Sequence, residues 1–211
     1  MPTAHTEPVK VRRRKQPQQE RAKNTVEKLL DVTEQLLDEI GLDAVTTIVI
    51  AERASLSVGT VYEYFPNKQS ILFALAGRWI ATLERVLGAN EVEERGFRSW
   101  SEWCDSYLNA MFDIYAQERG LVRYYDTLVS VPELRALDLR VDSAMTGYLQ
   151  RSISIFFPKV NKEALDVLTR MLITIVHNTL RFAVSLPPTA KRKMMDNLHF
   201  IVQTLILKTV H

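Results

Sequence analysis

The stretch Ile50-Ala51-Glu52-Arg53-Ala54-Ser55-Leu56-Ser57-Val58-Gly59-Thr60-Val61-Tyr62-Glu63-Tyr64-Phe65 decides the architecture of this 211-residue chain. It reads as two short helices, 47–54 and 58–64, split by Ser55-Leu56-Ser57. Pro66 stops the second, because a proline pushes the residue before it out of helical geometry. Helices that cross closely need a small residue at the crossing, which Ala51 supplies. They also need apolar residues turned to a shared core, and spacing puts Ile50, Ala54, Leu56, Val61 and Phe65 there. Ser57 is placed to cap the second helix. The pattern is a helix-turn-helix, whose second helix enters the DNA major groove while the first crosses the backbone. Gly59 lies inside that second helix, where glycine costs about 1 kcal/mol relative to alanine. Close approach to DNA or close packing on another helix would each account for it.

Working outward, Val26, Leu29, Leu30, Thr33, Leu36, Leu37 and Ile40 recur at three and four, one face of a helix of about five turns. Gly41 follows where a left-handed C-cap is expected. Downstream, a helix from about 68 to 87 turns Ile71, Leu72, Leu75 and Trp79 inward. Five more are expected near 97–118, 121–129, 132–156, 162–185 and 189–210, punctuated by Pro132, Pro158 and Pro187-Pro188. The expected fold class is therefore all-α with about nine helices. A three-helix domain at 18–67 follows a disordered basic arm at 1–17 and precedes a larger helical domain at 68–211. Nothing flexible separates the two domains.

Composition narrows the function classes. Hydrophobic residues make up 46% and charged residues 25%, ordinary for a globular protein. Cys104 is the single cysteine, which excludes a CxxC metal site and an intramolecular disulfide. No run approaches the ~18 apolar residues of a membrane span, and the polar N-terminus is not a secretory signal, so the cytoplasm is expected. The net charge of +2 divides unevenly: residues 1–23 hold seven Lys/Arg against two acids, leaving the rest at −3. A basic end of this kind suits a polyanion or serves as a solubilising tail. No cofactor or metal is expected, and no phosphate loop or Ser/His/Asp signature points to an enzyme. A Cys104 nucleophile would need His177 or His199 beside it, yet Cys104 sits between Trp103 and Asp105 on a helix expected to lie in the core.

Residues 20–75 resemble the DNA-binding domain of the TetR family of transcriptional regulators. The resemblance rests on the amphipathic first helix ending at Gly41, Thr46-Thr47 ahead of Ile50-Ala51, Ser57-Val58-Gly59-Thr60-Val61-Tyr62, Tyr64-Phe65 and Asn67-Lys68. It implies that Thr46 caps the first motif helix and touches phosphate. By the same resemblance Val58 and Thr60 approach base edges, and Tyr62 and Tyr64 reach phosphates through their hydroxyls. Lys68 would anchor phosphate, aided by the dipole of its helix. Thr47, Ser57 and Gly59 complete the DNA-facing set, and Arg13 and Arg14 of the arm would follow the adjacent minor groove or phosphates. Glu63 would turn away, accept from a cytosine, or weaken non-specific binding. Two residues depart from the family pattern. Ser55 stands where glycine is usual, implying either a somewhat strained turn or a serine tolerated in a left-handed conformation. Ile48 and Val49 stand where polar residues are usual, and are expected to be buried against the first helix, with thymine-methyl contact the alternative.

The resemblance further implies a ligand-responsive regulator, acting as a repressor, that binds a palindromic double-stranded operator as a homodimer. Helices 162–185 and 189–210 would form the dimer, through apolar residues such as Leu165, Met171, Leu198 and Ile201; a buried intrachain pair is the alternative. Most of the aromatic residues of the larger domain would be core, the rest lining a pocket for a small apolar or aromatic effector. Trp103, Tyr107, Asn109, Tyr124, His177 and Asn178 are the candidates. A DNA-binding protein of the same fold acting through a protein partner, or without an effector, is the alternative reading.

Overall fold

The computed structural model describes residues 20–117 and 132–210, with the side chains of 132–138 left aside. The arm with Arg13 and Arg14, the expected helix at 121–129 and Tyr124 lie outside the described residues. Nine helices, and no strand, occur among the described residues. They are α1 (Glu20–Ile40), α2 (Thr47–Arg53), α3 (Val58–Tyr64), α4 (Lys68–Ala89), α5 (Val92–Arg95), α6 (Trp100–Gln117), α7 (Pro132–Phe156), α8 (Lys162–Ala183) and α9 (Pro188–Val210). The fold is all-α, an N-terminal helix-turn-helix followed by a larger helical domain.

The stripe on α1 buries Val26, Leu29, Leu30, Leu36 and Leu37, with the Thr33 hydroxyl satisfied by the Leu29 carbonyl at 2.7 Å. Ile40, expected on that face, is 44% exposed: it is the last residue of α1, beyond the packed seam. Gly41 adopts the expected left-handed backbone at φ 83°. Ile50, Ala51, Ala54, Val61 and Phe65 are fully buried, and Leu56 is half-buried against them. Between the motif helices, the Leu56 N–H donates to the Ala51 carbonyl at 2.9 Å and the Ser55 N–H to the Glu52 carbonyl at 3.0 Å. These two bonds form a Schellman cap, which requires a left-handed residue at the position Ser55 holds. Ser55 accordingly has φ 54°.

α4 joins the two halves. Asn67 and Ser70 form a reciprocal capping box at its start. Ile71, Leu75, Trp79, Ile80 and Leu83 then bury a continuous face. Arg78 pairs with Asp31 and Glu27 on α1, and Glu84 takes both ends of the Arg140 guanidinium of α7 at 2.8 and 2.9 Å. Asn90 closes the helix. Its amide donates to the Val86 carbonyl at 2.8 Å, its side-chain oxygen accepts from Ser106 on α6 at 2.9 Å, and its backbone carbonyl accepts from Tyr148 on α7 at 2.9 Å.

α5 was not expected; four residues are too few to show periodicity, and its single buried anchor is Val92. α6 begins at Trp100 rather than 97. In the C-terminal pair, Asn161 caps α8 by accepting from the Glu163 and Ala164 amides at 2.9 and 3.0 Å. Leu165, Leu168, Leu172 and Leu180 of α8 and Leu198, Val202 and Ile206 of α9 are buried within the one chain.

A non-glycine residue at φ 54° carries backbone strain of about 1 kcal/mol or more, against which glycine adds unfolded-state entropy. Ser55→Gly is therefore expected to raise stability by about 0.5–1 kcal/mol in urea unfolding. A loss of stability would show that the Ser55 side chain contributes more than its backbone costs.

Candidate nucleic-acid interface and ligand cavity

The outer face of the motif is built by its caps. Thr46 caps α2, its hydroxyl accepting from the Val49 amide at 3.2 Å. Ser57 caps α3, accepting from the Thr60 amide at 3.0 Å while its hydroxyl pairs with that of Thr60 at 2.8 Å. Thr47 and Tyr62 share a hydrogen bond at 3.2 Å, which ties the exposed tyrosine of α3 to the start of α2. The Lys68 ammonium donates to the Leu42 carbonyl at 3.1 Å and so sits beside the same face. Val58 and Tyr64 are half-buried, packed on the core, whereas Glu63 is exposed. Ile48, expected to be buried against α1, is 54% exposed. The inward face of α2 is already taken by Ile50, Ala51 and Ala54, so only Val49 packs back. Gly59 is exposed, and a Cβ added there would meet only the Ser57 hydroxyl at 3.6 Å. Packing on another helix therefore does not explain this glycine.

A cavity of about 220 Å³ opens between α4, α6, α7 and α8. Trp79, Tyr115, Val141, Met145 and Ile173 supply its apolar wall, and Asp142, Thr174, His177 and Asn178 its polar one. The Trp79 and Tyr115 rings meet edge to face with centroids 6.3 Å apart. The Tyr115 hydroxyl hydrogen-bonds His177 Nδ1. Burial pushes that phenol well above its ordinary pKa, so it stays uncharged and can serve only neutral chemistry.

Two family descriptions match this arrangement: "Bacterial regulatory proteins, tetR family" over residues 29–75, and "Tetracyclin repressor-like, C-terminal domain" over residues 99–204. The chain belongs to the TetR family. Its regulators and repressors act on transcription and are not enzymes. The chain is 41% identical over 51 residues to the transcriptional repressor KstR of Mycolicibacterium smegmatis, a match covering 24% of this chain and only 25% of that protein. It is 25% identical over 187 residues to the transcriptional regulator BetI of Burkholderia mallei, covering 85% and 78% of the two chains. A TetR-family regulator from Streptomyces coelicolor shares the fold with a TM-score of 0.62 at 22% identity, covering 88% of this chain and 99% of that one.

Within this TetR-family chain the expected ligand-contacting residues separate. His177 and Asn178 line the cavity. Trp103 and Tyr107 do not: they stack on each other and on Tyr148 in the core, and the Trp103 indole donates to the Tyr148 hydroxyl at 2.9 Å. Asn109, two residues beyond Tyr107 and so on the opposite face of α6, is exposed. Trp79 and Tyr115 are cavity residues that the sequence reading assigned to core or left unplaced. Their signal would have been two aromatics on helices that flank the histidine, which periodicity alone cannot pair. Among the described residues no group of three His, Cys, Asp or Glu is placed to hold a metal, and no helix is long and apolar enough to cross a membrane.

Cys104 is buried, and desolvation, with the nearby Asp105 charge, pushes its thiol up to about 12. His199 pairs with Asp105 at 2.7 Å and His177 with Tyr115, so both imidazoles that a nucleophilic Cys104 would need are bonded elsewhere. At pH 8 the thiol is protonated and shielded, so the native protein should give no titre with a thiol reagent and one thiol per chain in denaturant. Rapid native modification would show that α6 opens.

Proposed function

We propose that the chain is a ligand-responsive repressor that binds a palindromic operator as a homodimer in the cytoplasm. The observation that carries this reading is Gly59: it is exposed, no packing among the described residues requires it, and it stands between Ser57, which caps α3, and Thr60, whose amide that cap accepts. A missing Cβ there leaves room for another molecule's backbone to approach. Val58 and Thr60 flank it, with Tyr62 one turn on, held by Thr47. Thr46, Thr47, Ser57, Tyr64 and Lys68 complete the proposed contact face, their hydroxyls and ammonium directed at phosphates, while Val58 and Thr60 approach base edges. Exposed Ile48 takes the thymine-methyl role.

One α3 spans too few base pairs to select a site, so two copies about one DNA turn apart are required. The second copy fits the apolar residues that α8 and α9 leave outside the chain. Val167, Met171 and Phe182 on α8 and Phe200, Ile201 and Leu207 on α9 are all exposed, Phe200 at 71%. They differ from most of the leucines first expected there, which pack within the chain. The exposed set supports the family's habit of dimerising through this helix pair.

The effector would occupy the 220 Å³ cavity, which accommodates a small, largely apolar or aromatic molecule. Its polar contacts would be His177 and Asn178. Trp79, which walls the cavity, stands eleven residues beyond Lys68 on the same helix, about 16 Å along it. An occupant favouring one position of Trp79 tilts α4 and displaces α3 from the groove, releasing DNA by its differential affinity for the two forms.

Gly59→Ala separates the roles of this residue. Stability should be unchanged or higher by a few tenths of a kcal/mol, while affinity for a selected operator duplex, read by fluorescence anisotropy, falls about tenfold or more. Unchanged affinity would contradict the close approach. The joint variant Phe182→Glu and Phe200→Glu should sediment as a monomer and lose operator binding; a persisting dimer would place the interface elsewhere.

A further inference from the structure

The outer side of α8 is one unbroken stripe. Val167, Met171, Thr174, Asn178 and Phe182 recur at four, three, four and four, which puts them on a single face, and all five are exposed. From Val167 to Phe182 the stripe runs about 22 Å and carries no charge. On α9, which packs along α8, Asn197, Phe200, Ile201 and Thr204 share a face by the same spacing and are likewise exposed and uncharged. The two polar members at the centre of the α8 stripe are tied to their own helix. The Thr174 hydroxyl donates to the Arg170 carbonyl at 3.0 Å, and the Asn178 amide donates to the Thr174 carbonyl at 2.9 Å.

Those same two residues form the edge of the ligand cavity. Thr174 and Asn178 line it together with Ile173 and His177, each the residue just before. Ile173 and His177 are half-buried, while Trp79, Tyr115, Val141 and Met145 are buried, so the cavity deepens away from the stripe. Of its lining residues, the exposed ones are Asp142 on α7 and Thr174 and Asn178 on α8. On the stripe, Met171 precedes the α8 pair and Phe182 follows it. A surface that covers Met171 and Phe182 therefore also covers the α8 side of the opening, which lies between them.

We propose that the cavity is a composite site, closed along Thr174 and Asn178 by the α8–α9 face of a second copy, so that the ligand site is complete only in the dimer. This rests on the dimer reading above and extends it to the ligand. The occupant of the face is a second copy because the face is uncharged. In a two-fold contact the same patch meets itself, and a patch bearing one sign of charge would repel its copy. Two copies of α3 are also what the DNA reading requires. A molecule in the cavity then touches both chains. By linkage it binds the dimer more tightly than the single chain and holds the two copies together.

The test reads access to the cavity edge directly, using the full chain. Cys104 is the single cysteine and is buried, so Asn178→Cys introduces the one accessible thiol. Its rate of modification by a thiol reagent is followed as the protein is diluted through dimer dissociation, with sedimentation of the same samples. Asp43→Cys, at an exposed position between α1 and α2, gives the reference rate. A thiol that reacts only in the single chain follows the monomer fraction, which is about a tenth or less at about a hundred times the dimer Kd. The Asn178→Cys rate should therefore fall about tenfold or more on concentration, while the Asp43→Cys rate stays constant. Adding Phe182→Glu and Phe200→Glu should bring Asn178→Cys up to the reference rate at every concentration. A dimer in which Asn178→Cys reacts as fast as Asp43→Cys overturns the inference and leaves the dimer reading standing. Slow modification that persists in the dilute single chain, with circular dichroism unchanged, also overturns it, because the chain itself then covers the edge. A wild-type chain that sediments as a monomer at every concentration sinks the dimer reading and the inference with it.

Discussion

The packing of α4 is the constraint from which the rest of the molecule follows. It is a single helix of 22 residues, about 33 Å long, shared by both halves of the chain. Its start is fixed by the Asn67–Ser70 capping box and its end by the three bonds of Asn90, so neither terminus can slide without leaving buried polar groups unmet. Between them, Ile71, Leu75, Trp79, Ile80 and Leu83 each contribute about 1.5–3 kcal/mol of burial. The early residues seat the helix-turn-helix and Trp79 lines the 220 Å³ cavity. Trp79 and Lys68 stand on this one unbroken helix, so the cavity and the motif share a single element.

The motif was readable in the sequence because its requirements are local. A cap, a small residue at a crossing and a left-handed turn are each set within a few residues: Ser57 and Ala51 occupy the states their positions predicted, Thr46 caps α2 as the resemblance implied, and Ser55 takes the left-handed one of the two alternatives left open for it. Ser55 illustrates this best: a residue unusual for the family still adopts the conformation that the Schellman bonds demand. Boundaries of α1, α2, α3 and α4 followed from the same local signals.

The larger domain was less readable because its questions are about partners rather than periods. Periodicity marks which face of α6 is buried, yet Trp103, Tyr107 and Tyr115 all lie on that face. Only the third reaches the cavity, because α8 brings His177 to it while α7 brings Tyr148 to the other two. The same limit applies to α8 and α9, where the apolar residues divide between an intrachain seam and an exposed set. Ile48 failed for a related reason: an isoleucine at a polar position was assigned inward by hydrophobicity, although three neighbours had already filled that side. Charge was the opposite case, since the whole-chain value of +2 conceals a strongly basic stretch at 1–23 ahead of a remainder at −3.

The central claim is that two copies of α3, held by one dimer, read two-fold symmetric DNA. The most direct measurement is to select duplexes from a random pool with the full chain and footprint the winners. The account predicts one enriched palindromic site, protected in two major-groove segments centred about 34–36 Å apart. An enriched site without two-fold symmetry, or protection of a single groove segment, would contradict it.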